Sequence, residues 1–180
     1  MPKFKHTTVE NWLDTDPIVA TMVNRDHRDG SLTPSAGTDW IQLINERVCL
    51  EDDVPEDVRD AFWFAVGAIG YAHFYYPLFT LVSQQVLRVA DYALEQFCVQ
   101  NNSVIKRETF FARLERLRGA DLLSEQQYHR WTGIRNLRNS ATHPKFQENW
   151  GLAMSLELII VTGEAIASLA WRRETATASS

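Results

Sequence analysis

Cysteine is scarce in this chain of 180 residues, and the two present, Cys49 and Cys98, stand in no CxxC or CxxH arrangement. A disulfide framework or a zinc knuckle built on cysteine pairs is therefore not expected. No HExxH string, Cys/His cluster or carboxylate pair at ligand spacing occurs, so neither a metal nor a cofactor is expected. A glycine-rich phosphate loop is missing as well: Gly67 and Gly70 lie within an apolar stretch and read as positions of close helix packing. There is no GxSxG elbow and no setting for a cysteine nucleophile. The start, Met1-Pro2-Lys3-Phe4-Lys5, is not followed by a signal-peptide apolar core, which leads to the expectation of a reducing cytoplasm.

Charge is sparse in two long stretches. Residues 61–82 are almost uncharged, and residues 151–171 carry only Glu157 and Glu164. Both reach the roughly 20 residues needed to span a bilayer. The first, however, is rich in aromatics, broken at Pro77 and preceded by acids, and the second keeps its glutamates on one helical face. Buried bundle helices account for both more simply, so no membrane is expected. With 45% apolar residues the chain can build one well-buried core.

The pattern along the chain is helical throughout. Residues 1–50 form an N-terminal extension expected to pack on the bundle: Asp16-Pro17 opens a short helix through Met22 and Val23, residues 25–37 read as a polar loop, and Asp39 caps a helix over residues 40–48. The acidic run Glu51-Asp52-Asp53 with Pro55 fits a helix start, with the cap at Asp53 and the helix reaching about Tyr75. Pro77 either kinks a long helix or starts a second one. Beyond it Val82, Val86, Val89, Ala93 and Phe97 make an apolar stripe, and Gln84, Arg88, Asp91 and Glu95 a polar one. That polar stripe is either a salt-bridged surface or the wall of a dimer groove.

Asn101-Asn102-Ser103 marks a turn, and a shorter helix follows over residues 107–118, with Phe110, Phe111, Leu114 and Leu117 inward and Gly119 as its C-cap. Ser124 and Gln127 form a capping box that starts the next helix. Its buried stripe is Tyr128, Trp131, Ile134, Leu137 and Ala141, while Arg135, Arg138, Asn139 and Thr142 fall on another face. A last helix is expected over residues 147–171. The domain thus covers residues 51–172, with 173–180 a disordered tail. His73, within an aromatic run, reads as a core histidine, and His129 as a surface one.

The net charge of -5 argues at first against a polyanionic partner, but its distribution does not. Residues 103–145 hold nine basic and four acidic residues, a net +5, against -10 for the remainder. Such a segment either focuses a phosphate backbone on one surface or is a solvated helical hairpin of mixed charge.

Within that segment lies Arg138-Asn139-Ser140-Ala141-Thr142-His143-Pro144. On a continuous helix Arg138 and His143 would point about 140° apart. Pro144 biases the residue before it toward extended backbone, which places His143 just past the helix end, where its imidazole can turn back toward Arg138. The plain alternative is a histidine that merely ends a helix, with Arg138 capping carbonyls or pairing with an acid such as Glu148.

The string resembles the RNxxxH signature of the HEPN superfamily, and the resemblance spans roughly residues 54–172. It implies an all-α bundle of four to five helices that dimerises, and in catalytic members cleaves RNA without a metal where two motifs meet. By that resemblance Arg138 and His143 are catalytic, with Asn139, Arg135 and Lys145 as RNA-binding residues. The implied activity is a metal-independent endoribonuclease in a bacterial toxin or anti-phage defence role, acting on RNA as a homodimer and with an antitoxin or defence partner protein. A toxin subgroup carries a tyrosine two positions after the histidine, modified by a partner nucleotidyltransferase. Here that position is Lys145, so neutralisation by that route is not expected. The rival readings are a non-catalytic HEPN-like adaptor that binds RNA, a nucleotide or a protein, and a bundle whose apolar helices serve oligomerisation alone.

Overall fold

The structure is a computed structural model that describes residues 5–25, 32–34, 37–103, 105, 107–142 and 150–171, with the backbone alone for residues 23–25, 32–34 and 142. Its class is all-α: α1 (Gly37–Arg47), α2 (Glu56–Gly70), α3 (Leu78–Gln100), α4 (Phe110–Gly119), α5 (Glu125–Thr142) and α6 (Leu152–Ala167). The strands among the described residues are β1 (Val23–Arg25) and β2 (Leu32–Pro34), paired antiparallel with Asn24 opposite Thr33. No helix among the described residues is long and apolar enough to cross a membrane.

α2 starts later than the acidic run suggests. Pro55 takes the N-cap position with extended backbone, and Glu56 and Asp57 occupy the first turn, where the helix dipole favours carboxylates. Asp53 lies in the preceding turn, so it is not the cap. Val58, Phe62, Ala65, Val66 and Ile69 recur at helical spacing and are buried. The α-helix ends at Gly70 and tightens into a 3-10 turn over Tyr71–His73, short of Tyr75. Pro77 is the N-cap of α3, which settles its role as a start rather than a kink.

α3 is the central post of the bundle, packing against α2, α5 and α6. All five residues of its expected apolar stripe are buried. Polar side chains of α3 and α6 also enter the core, namely Ser83, Ser155 and Thr162. The Ser83 and Ser155 hydroxyls lie 2.9 Å apart and both reach the Phe79 carbonyl, so these two serines pin α3 to α6 with both hydroxyls paired. The Phe62 ring of α2 reaches α6 at Gly163, where a Cβ would come within 2.9 Å of it. The last helix is shorter than expected: it ends at Ala167, and Trp171 folds back to donate its Nε1–H to the Ile166 carbonyl at 2.9 Å.

The first 50 residues are tied to the bundle at the turn that follows α2. Asp16 is fully buried, and its carboxylate accepts the backbone N–H groups of Ile18 and Tyr76, both at 2.9 Å. Lys5 donates to the carbonyls of Asp14 and Phe74. Instead of a helix through Val23, a 3-10 turn spans Val19–Thr21 and Val23 enters β1. Within the expected polar loop, residues 32–34 pair as a strand. Ladder hydrogen bonding there satisfies backbone groups that a loop would leave to water. α1 packs on α2 through Trp40 and Ile44, and the Trp40 indole donates to the Ile69 carbonyl at 3.0 Å.

Candidate nucleic-acid interface

Three helices converge on Asp91. It sits on the polar side of α3, half-buried, and its neighbour one turn earlier, Arg88, is exposed. Arg113 from α4 reaches one carboxylate oxygen at 2.9 Å and also donates to the Asp91 carbonyl at 3.2 Å. Arg138 from α5 reaches the other oxygen at 2.9 Å. Among the described residues, two guanidinium groups therefore share one carboxylate. Arg113 is largely buried and Arg138 is 37% exposed, so the first anchors the acid while the second faces solvent.

α4 is held in place by its own polar framework. Its start is capped by Thr109, whose hydroxyl accepts the Ala112 N–H, so the helix begins at Phe110 rather than at Arg107, which has a left-handed backbone. Arg116 grips Glu108 with a two-pronged contact, Nε to Oε1 at 3.0 Å and Nη2 to Oε2 at 2.5 Å. It also bonds the Ser103 hydroxyl and lies 3.7 Å from the Cys98 sulfur, tying the end of α3 to α4. The Arg116 contact holds the Glu108 carboxyl below the usual range, and burial pushes the Cys98 thiol up, so that cysteine stays protonated and unreactive.

The far end of α4 differs from expectation. Gly119 is the last helical residue, and the left-handed position falls to Asp121 with a φ of 55°. Ser124 and Gln127 then form both arms of the capping box, at 2.8 and 3.2 Å, and start α5 as expected.

Phe111 and Leu137 depart from the expected buried stripes. Phe110, Leu114 and Leu117 point inward, but Phe111 is 45% exposed and Leu137 38%. With ten residues, α4 buries a narrower face than the expected apolar set assumed. Arg135 covers the exposed ring, its guanidinium carbon 4.6 Å from the Phe111 centroid, and Arg138 lies 6.0 Å from that of Phe110. The result is a surface on which Arg135 lies over the exposed Phe111 ring and Arg138 beside the buried Phe110.

Of the five candidate residues, Arg135, Arg138 and Asn139 lie on α5, with Arg135 and Arg138 one turn apart. α5 runs to Thr142, and His143 and Lys145 lie outside the described residues, as do Glu148 and the expected tail. Among the described residues, Arg138 pairs with Asp91, 47 positions earlier in the chain. Spacing within the motif gives no sign of that pairing. Its one trace is the place of Asp91 in the polar stripe of α3, which turns out to carry salt bridges at this position.

His73 and His129 behave as expected. His73 is buried, its Nε2 3.0 Å from the Thr15 hydroxyl, and burial pushes its pKa down. His129 is exposed near Glu125. Among the described residues, no group of three or more His, Cys, Asp or Glu could hold a metal ion. Comparison with protein-family models, curated proteins and solved structures gave no match.

Proposed function

We propose that this chain is a HEPN-like, metal-independent endoribonuclease that works as a homodimer, in a toxin or anti-phage defence role. The observation that carries the reading is the position of Arg138: it lies one turn from the last described residue of α5, is fixed by Asp91 and remains partly exposed. A phosphate-binding arginine needs a fixed direction as well as charge, and the carboxylate provides that direction. His143 follows five positions later in sequence. In the proposed reaction, His143 of one protomer takes the proton from the ribose 2'-hydroxyl. That oxygen attacks the adjacent phosphorus, Arg138 holds the charged phosphorane oxygens, and the second copy of His143 protonates the departing 5' oxygen. The products are a 2',3'-cyclic phosphate and a 5'-hydroxyl. Arg135, Asn139 and Lys145 hold the strand, and an antitoxin or defence protein restrains the activity.

The layered Arg135 and Phe111 favour the rival reading of RNA binding without cleavage. Aromatic rings and guanidinium planes together suit stacking of unpaired bases. Labelled single-stranded RNA incubated in EDTA with the wild type and with His143→Ala separates the two. Cleavage by the wild type, falling by roughly a hundredfold or more in the variant, supports the nuclease. Equal retention of RNA by both without cleavage supports the binding module.

A further inference from the structure

Residues 61–71 carry no charge, and all but Tyr71 belong to α2. One side of that stretch is core, through Phe62, Ala65, Val66 and Ile69. The opposite side is apolar as well. Its exposed positions are Trp63, Phe64 and Gly67, with Tyr71 following on the same stripe, and the three aromatic residues are 42%, 71% and 66% exposed. Ile41 of α1 lies beside them, exposed, and a Cβ on Gly70 would come within 2.8 Å of it.

A helix that is apolar all round belongs inside a membrane or inside protein. α2 is not long and apolar enough to cross a bilayer. Nor is it built to lie on one, because an interfacial helix edges its apolar face with Lys and Arg. The exposed charges of α2 are Glu56, Asp57 and Asp60, and its Arg59 is paired with Asp52 at 2.8 Å. Burial against protein is what this face fits.

Area gives the size of the contact. A fully exposed aromatic side chain presents roughly 150–250 Å², so at these exposures Trp63, Phe64 and Tyr71 offer about 350 Å², and Ile41 brings the patch to about 400 Å². A standard interface takes about 800 Å² from each partner, of which about 450 Å² is apolar. The patch is therefore the apolar centre of one such interface. Gln42, Asn45 and Glu46 of α1 line the same groove as Ile41 and Tyr71 and supply a polar rim, where Glu46 accepts a hydrogen bond from Gln42 at 2.7 Å.

Charge selects the partner. An uncharged stripe is complementary to itself, as a two-fold contact requires, whereas a strongly basic or acidic partner would find no opposite charge within residues 61–71. Direction follows from the acids at the start of α2. A parallel pair would set both acidic starts side by side. In an antiparallel pair crossing at Gly67, Asp57 stands ten positions from the crossing, about 15 Å along the axis, so the two acidic starts lie about 30 Å apart and are screened.

We infer that this face of α2 joins two copies of the chain, packed antiparallel about a two-fold axis near Gly67, with Phe64 of one protomer against Tyr71 of the other. No residue of the face belongs to the cluster around Asp91, so the contact does not rest on the ribonuclease reading. A pairing of the two motifs would use a different surface and would persist when this one is broken.

The test is sedimentation velocity of the full chain over a dilution series starting at about 50 µM, above the micromolar Kd of the weakest standard-sized interfaces. Circular dichroism checks the helix content of each variant. Phe64→Glu should raise the dissociation constant by at least about thirtyfold, and Tyr71→Lys should do the same, so either variant serves if the other does not fold. The chain carrying both substitutions sets a carboxylate opposite an ammonium group twice across the axis and should recover most of the loss. RNA cleavage by the single variants should be unchanged, which separates this contact from the motif site. A wild type that stays monomeric, or single variants that associate as the wild type does, would overturn the inference. So would a double variant as weak as the single ones, which would contradict the antiparallel pairing.

Discussion

Asp91 is the residue on which the candidate interface turns, because it orients Arg138 while Arg113 holds it from the buried side. Asp91→Asn keeps the shape but removes the charge that both guanidinium groups share. Since the acid is partly exposed, the expected loss of stability is only about 1 kcal/mol, measured by urea denaturation. The expected loss of RNA cleavage is larger, about tenfold or more, because Arg138 loses its fixed direction. A fall in stability with unchanged cleavage would separate Asp91 from the site. His73 gives a second test at this scale. Burial lowers its folded pKa from the ordinary 6.5, so the unfolded chain binds the proton more readily. The contribution of His73 to stability is therefore complete above about pH 6.5 and is lost as pH falls through the lowered value. Melting curves from about pH 8 to pH 5 should show a decline that is shallower in His73→Gln. An unchanged profile in that variant would contradict the assignment.

Helix boundaries explain why elements were legible to different degrees. The start of α5 could be read because a capping box is local: Ser124 and Gln127 carry the whole signal within four positions. Ser124→Ala should cost about 1 kcal/mol, seen as a melting temperature lower by roughly 2–4 °C; no shift would mean that the box contributes nothing to stability. The sequence places the start of α2 too early, since an acidic run contains several residues able to cap and only the chain path selects among them. Four apolar residues fit the periodicity of α4 but only three face inward, and what decides between them is the neighbour that covers each one. Trp131 covers Phe110, at a ring separation of 6.2 Å, whereas Arg135 covers Phe111. Neither partner can be identified from within α4.

Across the whole molecule, the split between a basic segment and an acidic remainder is visible in composition, but its use depends on tertiary placement. Arg113, Arg135 and Arg138 come together because α4 and α5 pack on each other and α5 packs on α3. The all-α class follows from long stretches of helical periodicity, which survive local errors at their ends. The pairing of Arg138 with Asp91 is set by packing between distant segments, and single-sequence periodicity contains no record of it. If the assembled surface binds RNA, affinity should fall with salt, with a log–log slope shrinking by about 0.7 for each phosphate contact removed. Arg135→Ala should reduce the slope by about that amount, as measured by fluorescence anisotropy. An unchanged slope would place Arg135 off the phosphate path.

The most direct test of the account remains RNA cleavage in EDTA, with the ends of the products identified by mass spectrometry. The account predicts wild-type fragments ending in a 2',3'-cyclic phosphate and a 5'-hydroxyl, and a rate lower by roughly a hundredfold or more in His143→Ala. Cleavage of equal rate in both proteins, or none by a dimeric wild type, would contradict it.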